Sequence, residues 1–161
     1  MNELTIRPAT VNDTATIMQF IIDLALYEKE PDAVKTNETE IAQRLFCQSP
    51  KVFCLIAEID NKTVGLAIYF YNFSTWLGKH GIYLEDLFVT PSARGKGAGK
   101  ALLKSLAKIA VTEQCGRVEW SVLDWNKPAI DFYEALGANP QDGWTVYRLT
   151  DNALIDFAKE S

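Results

Sequence analysis

Apolar and polar residues recur along the chain with the spacings of both strands and helices. Alternation rich in β-branched and aromatic residues predicts strands at 4–7, 52–59, 63–71, 82–89, 117–123 and 144–149. Apolar residues three and four positions apart predict helices after Asp13, from about Asn37 to Pro50, along 102–110, and at 128–136 and 151–158. This order predicts an α/β (α+β) fold in one domain, residues 1–161, with a mixed central sheet and helices on both of its faces.

The turn between the strand at 82–89 and the following helix contains three alternating glycines, Gly95, Gly97 and Gly99. Glycine lets a backbone approach a ligand closely, and a helix start offers unpaired N–H groups, so this turn predicts a phosphate site. A P-loop is excluded because Gly99-Lys100 is followed by Ala101. The dinucleotide spacing is not met either, although Glu119 keeps a nucleotide-binding oxidoreductase as a weaker alternative. The positions of Lys96 and Lys100 are equally consistent with phosphate binding and with simple solvent exposure.

Two runs of the sequence have characteristic motifs. The first, LEDLFVTPSARGKGAG at 84–99, has Arg94 directly before a G-x-G-x-G turn that follows a strand. The second, LDWNKPAIDFYEALGA at 123–138, has an Asn, a small residue three positions on, a Tyr and a helix-ending Gly. Together the two runs resemble the signatures of the GNAT N-acetyltransferase superfamily. Further residues at 27–28, 83–86 and 124–126 resemble the spermidine/spermine N-acetyltransferase-like branch, which includes thialysine-acetylating members.

The resemblance implies acetyl-CoA as co-substrate and no metal. The glycine turn would wrap the CoA pyrophosphate, the preceding strand would pair its backbone with the pantetheine amides, and the second run would contact the cofactor further along. The implied cofactor-binding residues are Leu87, Phe88, Val89, Arg94, Gly95, Lys96, Gly97, Ala98, Gly99, Lys100, Asn126, Pro128, Ala129 and Tyr133.

The resemblance also implies the catalytic and amine-binding residues. Tyr133 would protonate the leaving CoA thiolate, and Glu85 would hold or deprotonate the amine, directly or through water. The amine site would be lined by Tyr27, Glu28, Trp76, Glu85 and Asp86. Adjacent strand residues point to opposite faces, so only one of Glu85 and Asp86 is expected to face the thioester unless the strand is irregular. Ser74-Thr75 stands where polyamine enzymes tend to have an acid before the tryptophan, which favours thialysine or another short amine.

Composition excludes several classes of protein. The net charge of −5 argues against a general nucleic-acid binder, and no apolar run is long enough for a membrane span. Three cysteines without a C-x-x-C motif, one loop histidine (His80) and no signal-peptide pattern lead us to expect a cytoplasmic protein without a zinc site.

These observations predict an N-acetyltransferase that passes acetyl directly to a small primary amine in a ternary complex. An aliphatic amine has a pKa near 10.4, so roughly one molecule in 2,500 is neutral at pH 7 and the site has to provide a base. Acetylation of a peptide or protein amine, and a CoA-binding sensor without catalysis, are the alternatives. The family resemblance further implies a homodimer.

Overall fold

The computed structural model describes residues 3–161 and has one mixed sheet flanked by helices, as predicted. The strands are β1 (Leu4–Pro8), β2 (Phe53–Ile59), β3 (Lys62–Ser74), β4 (Lys79–Val89) and β5 (Val118–Trp120). The α-helices are α1 (Thr14–Tyr27), α2 (Glu38–Leu45), α3 (Ala98–Thr112), α4 (Lys127–Ala135) and α5 (Asp151–Lys159). The strands lie in the order β1-β2-β3-β4-β5, antiparallel except for the parallel pair β4–β5.

The chain divides into two compact units. The first ends at Leu123 and contains the whole sheet with α1, α2 and α3, whereas the second, Asp124–Ser161, contains α4 and α5. The interpretation of residues 1–161 as one domain stays a prediction.

The sheet of the first unit is buried on both faces. On one face, Ile17 and Phe20 of α1 and Leu45 of α2 pack against alternate strand residues, which are Cys54, Ile56, Leu66, Ile68 and Phe88. The intervening residues Ala67 and Ile82 are fully buried as well, and so are Leu102 and Leu106 of α3. Strand residues alternate between faces, and α3 therefore covers the second face. Burial of each such leucine stabilises the fold by about 1.5–3 kcal/mol, which makes the sheet a rigid support for the residues at its edge.

Asp13 precedes α1 as predicted, but its carboxylate does not cap the helix. It accepts hydrogen bonds from Arg7 Nη1 at 2.8 Å and Nη2 at 2.9 Å, and from the Thr10 backbone N–H at 2.7 Å. The two-pronged guanidinium contact holds the pKa of Asp13 below its usual value. Asp13 therefore connects the end of β1 to the start of α1 through hydrogen bonds.

One predicted strand is absent, a second is shorter than predicted, and the prediction that His80 lies in a loop is wrong. Residues 144–149 form no strand, because alternation reports which side chains could share a face but not whether a partner strand is present. The strand predicted at 117–123 is reduced to the three residues of β5. His80 lies in β4 rather than in a loop, with its ring centroid 5.0 Å from that of Phe73.

Candidate active site

The glycine turn adopts a conformation that only glycine reaches easily. Gly95 has φ of 79° and Gly97 has φ of 88°, both in the left-handed region. Gly97 is the N-cap of α3, and the first backbone bond across it runs from Ala101 N–H to Gly97 O at 2.9 Å. The N–H groups of Ala98, Gly99 and Lys100 therefore precede the first intrahelical bond and point out of the helix start. Together with exposed Lys96 and Lys100, this start is suited to an anion.

The strand that leads into this turn has an open edge. β4 pairs with β5 only over Ile82–Leu84, so within the described strands the rest of β4 is paired on its β3 side alone. Thr90 N–H donates to Val64 O on β3 at 2.8 Å. Backbone groups alternate in direction along a strand, so those of Leu87 and Val89 point away from β3 toward the open edge. The predicted backbone contacts are thus available at Leu87 and Val89, whereas the backbone of Phe88 points to β3 and its side chain is in the core.

Arg94 lies at the end of the open edge, and its exposed side chain contacts both β4 and α1. Its Nε donates to Val89 O at 3.3 Å, and its guanidinium carbon lies 5.1 Å from the centroid of the Tyr27 ring. Both contacts lie beside a cavity of about 380 Å³ lined by Asp23, Leu26, Tyr27, Phe88, Pro91 and Arg94. Sequence reasoning missed Asp23 as part of this surface. The available signal was its position four residues before Tyr27, which puts both on one side of α1.

A β-bulge separates the two adjacent acids of β4. Ile68 pairs with Asp86 and Tyr69 pairs with Leu84, so Glu85 is the extra residue between them. Such a bulge changes the direction of the side chains on either side of it. Glu85 is exposed and Asp86 is partly buried. β4 is therefore irregular at Glu85, which is the exception to strict alternation that the sequence allowed.

Three carboxylates of the first unit interact electrostatically near this bulge. Glu28 caps the C-terminus of α1, and burial, followed by the charge of Glu85, raises its pKa. Burial, followed by the charges of Glu85 and Glu28, raises the pKa of Asp86 to about 6. We call Glu28, Glu85 and Asp86 the carboxylate group. Burial is the main reason for these raised pKa values, and the neighbouring negative charges add to it. A bound cation would offset both effects, so the carboxylate group is suited to a cationic ligand.

The predicted cofactor and acid residues of the second unit belong to α4 and its N-cap. Asn126 is buried, and its side chain accepts a hydrogen bond from the Ala129 N–H at 3.4 Å. Pro128 lies in the first helical turn, where its missing N–H is not needed. Tyr133 is partly buried, with its ring centroid 5.6 Å from that of Phe132. Their roles toward a cofactor, and that of Tyr133 as acid, stay predictions.

Trp76 is not brought to the carboxylate group by the hairpin that contains it. It lies in the turn between β3 and β4 and is 83% exposed. Glu85 is six residues beyond Lys79, the start of β4, which corresponds to roughly 20 Å along the strand. A contact between Trp76 and the amine stays a prediction.

The thiol of Cys54 is unsuited to covalent catalysis. Cys54 is 7% exposed within the core, and burial, followed by the charges of Asp13 and Asp86, raises its pKa to about 12. The thiol is therefore neutral at physiological pH, and only the thiolate is a strong nucleophile.

Within residues 3–161, no cluster of three or more His, Cys, Asp or Glu side chains is arranged to hold a metal ion. The helices of the same residues are all too short or too polar to cross a membrane.

Comparison with known proteins gives a consistent set of similarities. The model described as "Acetyltransferase (GNAT) family" matches residues 21–138. A thialysine N-epsilon-acetyltransferase from Bos taurus is 38% identical over 95% of this chain and 96% of its own length. The spermidine/spermine N(1)-acetyltransferase-like protein 1 from Homo sapiens is 34% identical over 99% of this chain and 24% of its own length. An integron cassette protein from the mobile metagenome of V. cholerae has a TM-score of 0.81 at 30% identity, covering 98% of both chains.

Proposed function

Because the chain belongs to the GNAT family of acetyltransferases, we propose that it transfers the acetyl group of acetyl-CoA to a small primary amine. The amine is a diamine, a polyamine or a thialysine-like compound. The observation that carries this proposal is the continuity of the open β4 edge, which begins beside the carboxylate group and ends at the glycine turn. One strand thereby supports an amine site at one end and a phosphate site at the other.

The cofactor side acts mainly through the backbone. The free N–H groups at the start of α3 and the charges of Lys96 and Lys100 suit the pyrophosphate. The outward backbone groups of Leu87 and Val89 suit the two amides of pantetheine, which would add to the sheet like a short strand. This arrangement would place the thioester near the β-bulge, next to Glu85.

The amine side acts through side chains. The carboxylate group attracts the ammonium form of the amine, and the proton then has to leave before the nitrogen can attack. We assign this proton to Glu85 through water, with Asp86 as a nearby acceptor that is more basic than an ordinary aspartate. Tyr27 and Glu28 would bind the remainder of the amine at the end of α1.

The transfer itself needs no covalent enzyme intermediate. The neutral amine nitrogen forms the bond to the thioester carbon, the carbon–sulfur bond breaks, and the Tyr133 hydroxyl gives its proton to the departing thiolate. The nitrogen then loses a second proton to solvent to become the amide, and the Tyr133 phenolate regains a proton from solvent. A phenol with pKa near 10 is a workable donor to a thiolate with pKa about 8.5. The neutral thiol of Cys54 is consistent with direct transfer in a ternary complex.

The proposal is tested by measuring free CoA thiol released from acetyl-CoA with a panel of amines. The panel contains thialysine, lysine, ornithine, diamines of increasing length, spermidine and a peptide with a free α-amine. We expect turnover with at least one free amine and a background without amine that is at least about a hundredfold lower. CoA binding without turnover on any amine would refute the enzymatic proposal in favour of a sensor. Turnover on the peptide alone would refute the small-amine assignment.

Assembly and location are part of the same proposal. A homodimer would bring a second copy of Trp76 within reach of an amine site, and its high exposure supports a role between chains. The three cysteines are free thiols, which supports a reducing compartment such as the cytoplasm. Light scattering of the purified protein, giving one or two chain masses, tests the dimer directly.

A further inference from the structure

Arg94 lies between the cofactor side and the amine side and makes one contact with each. Its Nε donates to Val89 O at 3.3 Å, and Val89 is one of the two β4 residues whose backbone points to the open edge. Its guanidinium carbon lies 5.1 Å from the centroid of the Tyr27 ring, and Tyr27 directly precedes Glu28 of the carboxylate group. One side chain therefore occupies a position that each of the two substrates would need.

We infer that Arg94 is an internal plug, which the CoA phosphates draw away so that cofactor binding prepares the amine site. The inference rests on the proposed function, because it needs a diphosphate beside the glycine turn. A guanidinium bound to phosphate makes charge-assisted, two-pronged hydrogen bonds, which are stronger than one 3.3 Å bond to a neutral carbonyl. The phosphate therefore competes successfully for Arg94.

The surroundings of Arg94 allow this movement without rearrangement of the core. The side chain of Arg94 is exposed. At the next residue, Gly95, a Cβ atom would have no heavy atom within 4 Å apart from the two chain neighbours of Gly95, so the space beside the turn is open. Exposed side chains change rotamer on the picosecond-to-nanosecond scale. The cavity beside Arg94 and Tyr27 supplies the space into which a ligand could enter.

Movement of Arg94 away from its two contacts releases a binding group at each end of the site. At the open edge, Val89 O is released to accept a pantetheine N–H. At α1, the ring face of Tyr27 is released to accept a different cation, and the ammonium group of the substrate is the cation that the carboxylate group attracts. One ring face holds one cation at a time, so Arg94 and the amine compete for it. Cofactor and amine therefore bind with positive coupling, which by linkage acts equally in both directions.

The first test compares CoA with pantetheine, which lacks the diphosphate, as ligands of Arg94→Met. For CoA we expect affinity to fall by at least about tenfold, because a charged partner of the phosphates is lost. For pantetheine we expect affinity to rise by about three- to tenfold, because the plug is removed and no phosphate contact is lost. Lys96→Met is the matched control in the same turn: it should weaken CoA binding and leave pantetheine binding unchanged. Calorimetry suits CoA, and NMR titration suits the weaker pantetheine.

The second test measures the Kd of thialysine with and without saturating desulfo-CoA, which has no thiol and cannot take part in transfer. In the wild-type protein desulfo-CoA should lower this Kd by about two- to fivefold, the range expected for release of an exposed cation–π contact. In Arg94→Met the Kd should not respond to desulfo-CoA. Tyr27→Phe, which keeps the ring, should retain the coupling, whereas Tyr27→Leu should lose it.

The outcomes separate this inference from the proposed function. If the wild-type protein binds CoA but Arg94→Met binds pantetheine no better than wild type does, Arg94 is not a plug and the inference is wrong. The same holds if desulfo-CoA improves thialysine binding equally in the wild-type protein and in Arg94→Met. If the wild-type protein does not bind CoA at all, the proposed function is wrong, and the inference falls with it.

Discussion

The two sides of the candidate site are built from different parts of the polypeptide. The cofactor side uses backbone groups: the N–H groups that begin α3 after Gly97, and the outward groups of Leu87 and Val89. The amine side uses the side chains of the carboxylate group, whose charges depend on burial and on one another. A backbone site depends on conformation and tolerates many side chains, whereas a carboxylate site depends on the protonation of each member.

This difference gives the two sides different sensitivities. The cofactor side should fail when its conformation is changed and should respond little to pH near neutrality. The amine side should keep its shape when an acid is replaced by its amide and should respond strongly to pH.

The largest expected effect concerns Tyr133, which lies in the second unit and belongs to neither side. Tyr133→Phe removes the proposed proton donor for the CoA thiolate, so kcat should fall by about a hundredfold to ten-thousandfold. The Kd values for CoA and for the amine should each stay within about threefold of wild type. Steady-state kinetics and calorimetry measure the two effects, and Phe132→Leu, at the adjacent position of α4, is the control for local packing. Full activity of Tyr133→Phe would remove Tyr133 from the mechanism.

The second prediction changes the conformation of the cofactor side. Gly97 has φ of 88°, and a β-branched residue is strained there by about 1–3 kcal/mol. Gly97→Val should therefore raise the Kd for CoA by about ten- to a hundredfold, with little effect on amine binding in its absence. Gly97→Asn is the control, since asparagine tolerates the left-handed region better, and should show a clearly smaller increase. Equal losses in both variants would mean that side-chain bulk, not backbone conformation, is decisive.

The glycine turn shows which part of the candidate site can be predicted from sequence. Gly95 and Gly97 have positive φ, so their identities indicate the conformation of the turn, whereas its role toward a cofactor stays a prediction. The helices were predicted from short-range periodicity, and all five are present. The bulge at Glu85 could not be predicted because it depends on the register of β3, and the contact between Arg94 and Tyr27 joins residues far apart in sequence. The strand expected at 144–149 is absent because alternation does not report a partner strand.

The third prediction uses the pH dependence of stability to test the burial of Asp86. Its pKa is raised from 3.8 in the unfolded chain to about 6 in the fold, so the folded protein binds the proton of Asp86 more tightly than the unfolded chain does. The stability that this gives is fully present below about pH 4 and is lost as pH rises through about 6. Asp86→Asn cannot ionise and should be more stable than wild type at pH 7.5 by about 1–3 kcal/mol.

Urea unfolding at pH 7.5 and at pH 4.5 measures this difference, and the advantage of Asp86→Asn should shrink at the lower pH. Asp32→Asn, at an exposed position, is the control and should change stability by less than about 0.5 kcal/mol at either pH. An advantage that is equal at both pH values would show that it does not come from ionisation of Asp86.

The smallest expected effect is the pH dependence of amine binding. Its comparison with the pH dependence of CoA binding distinguishes the amine side from the cofactor side most directly. An acid with pKa about 6 is roughly one-tenth ionised at pH 5 and nine-tenths ionised at pH 7, while an aliphatic amine stays protonated throughout. Since the ammonium form is attracted by the ionised carboxylate, its Kd should fall by about tenfold between these pH values, and Asp86→Asn should flatten the curve. The N–H groups proposed to bind CoA lie at the start of α3 and do not include Asp86, so any pH dependence of CoA binding should be the same in wild type and in Asp86→Asn. A change in the pH profile for CoA in that variant would mean that the two sides are not separate, and that the charge of Asp86 acts across the length of the open edge.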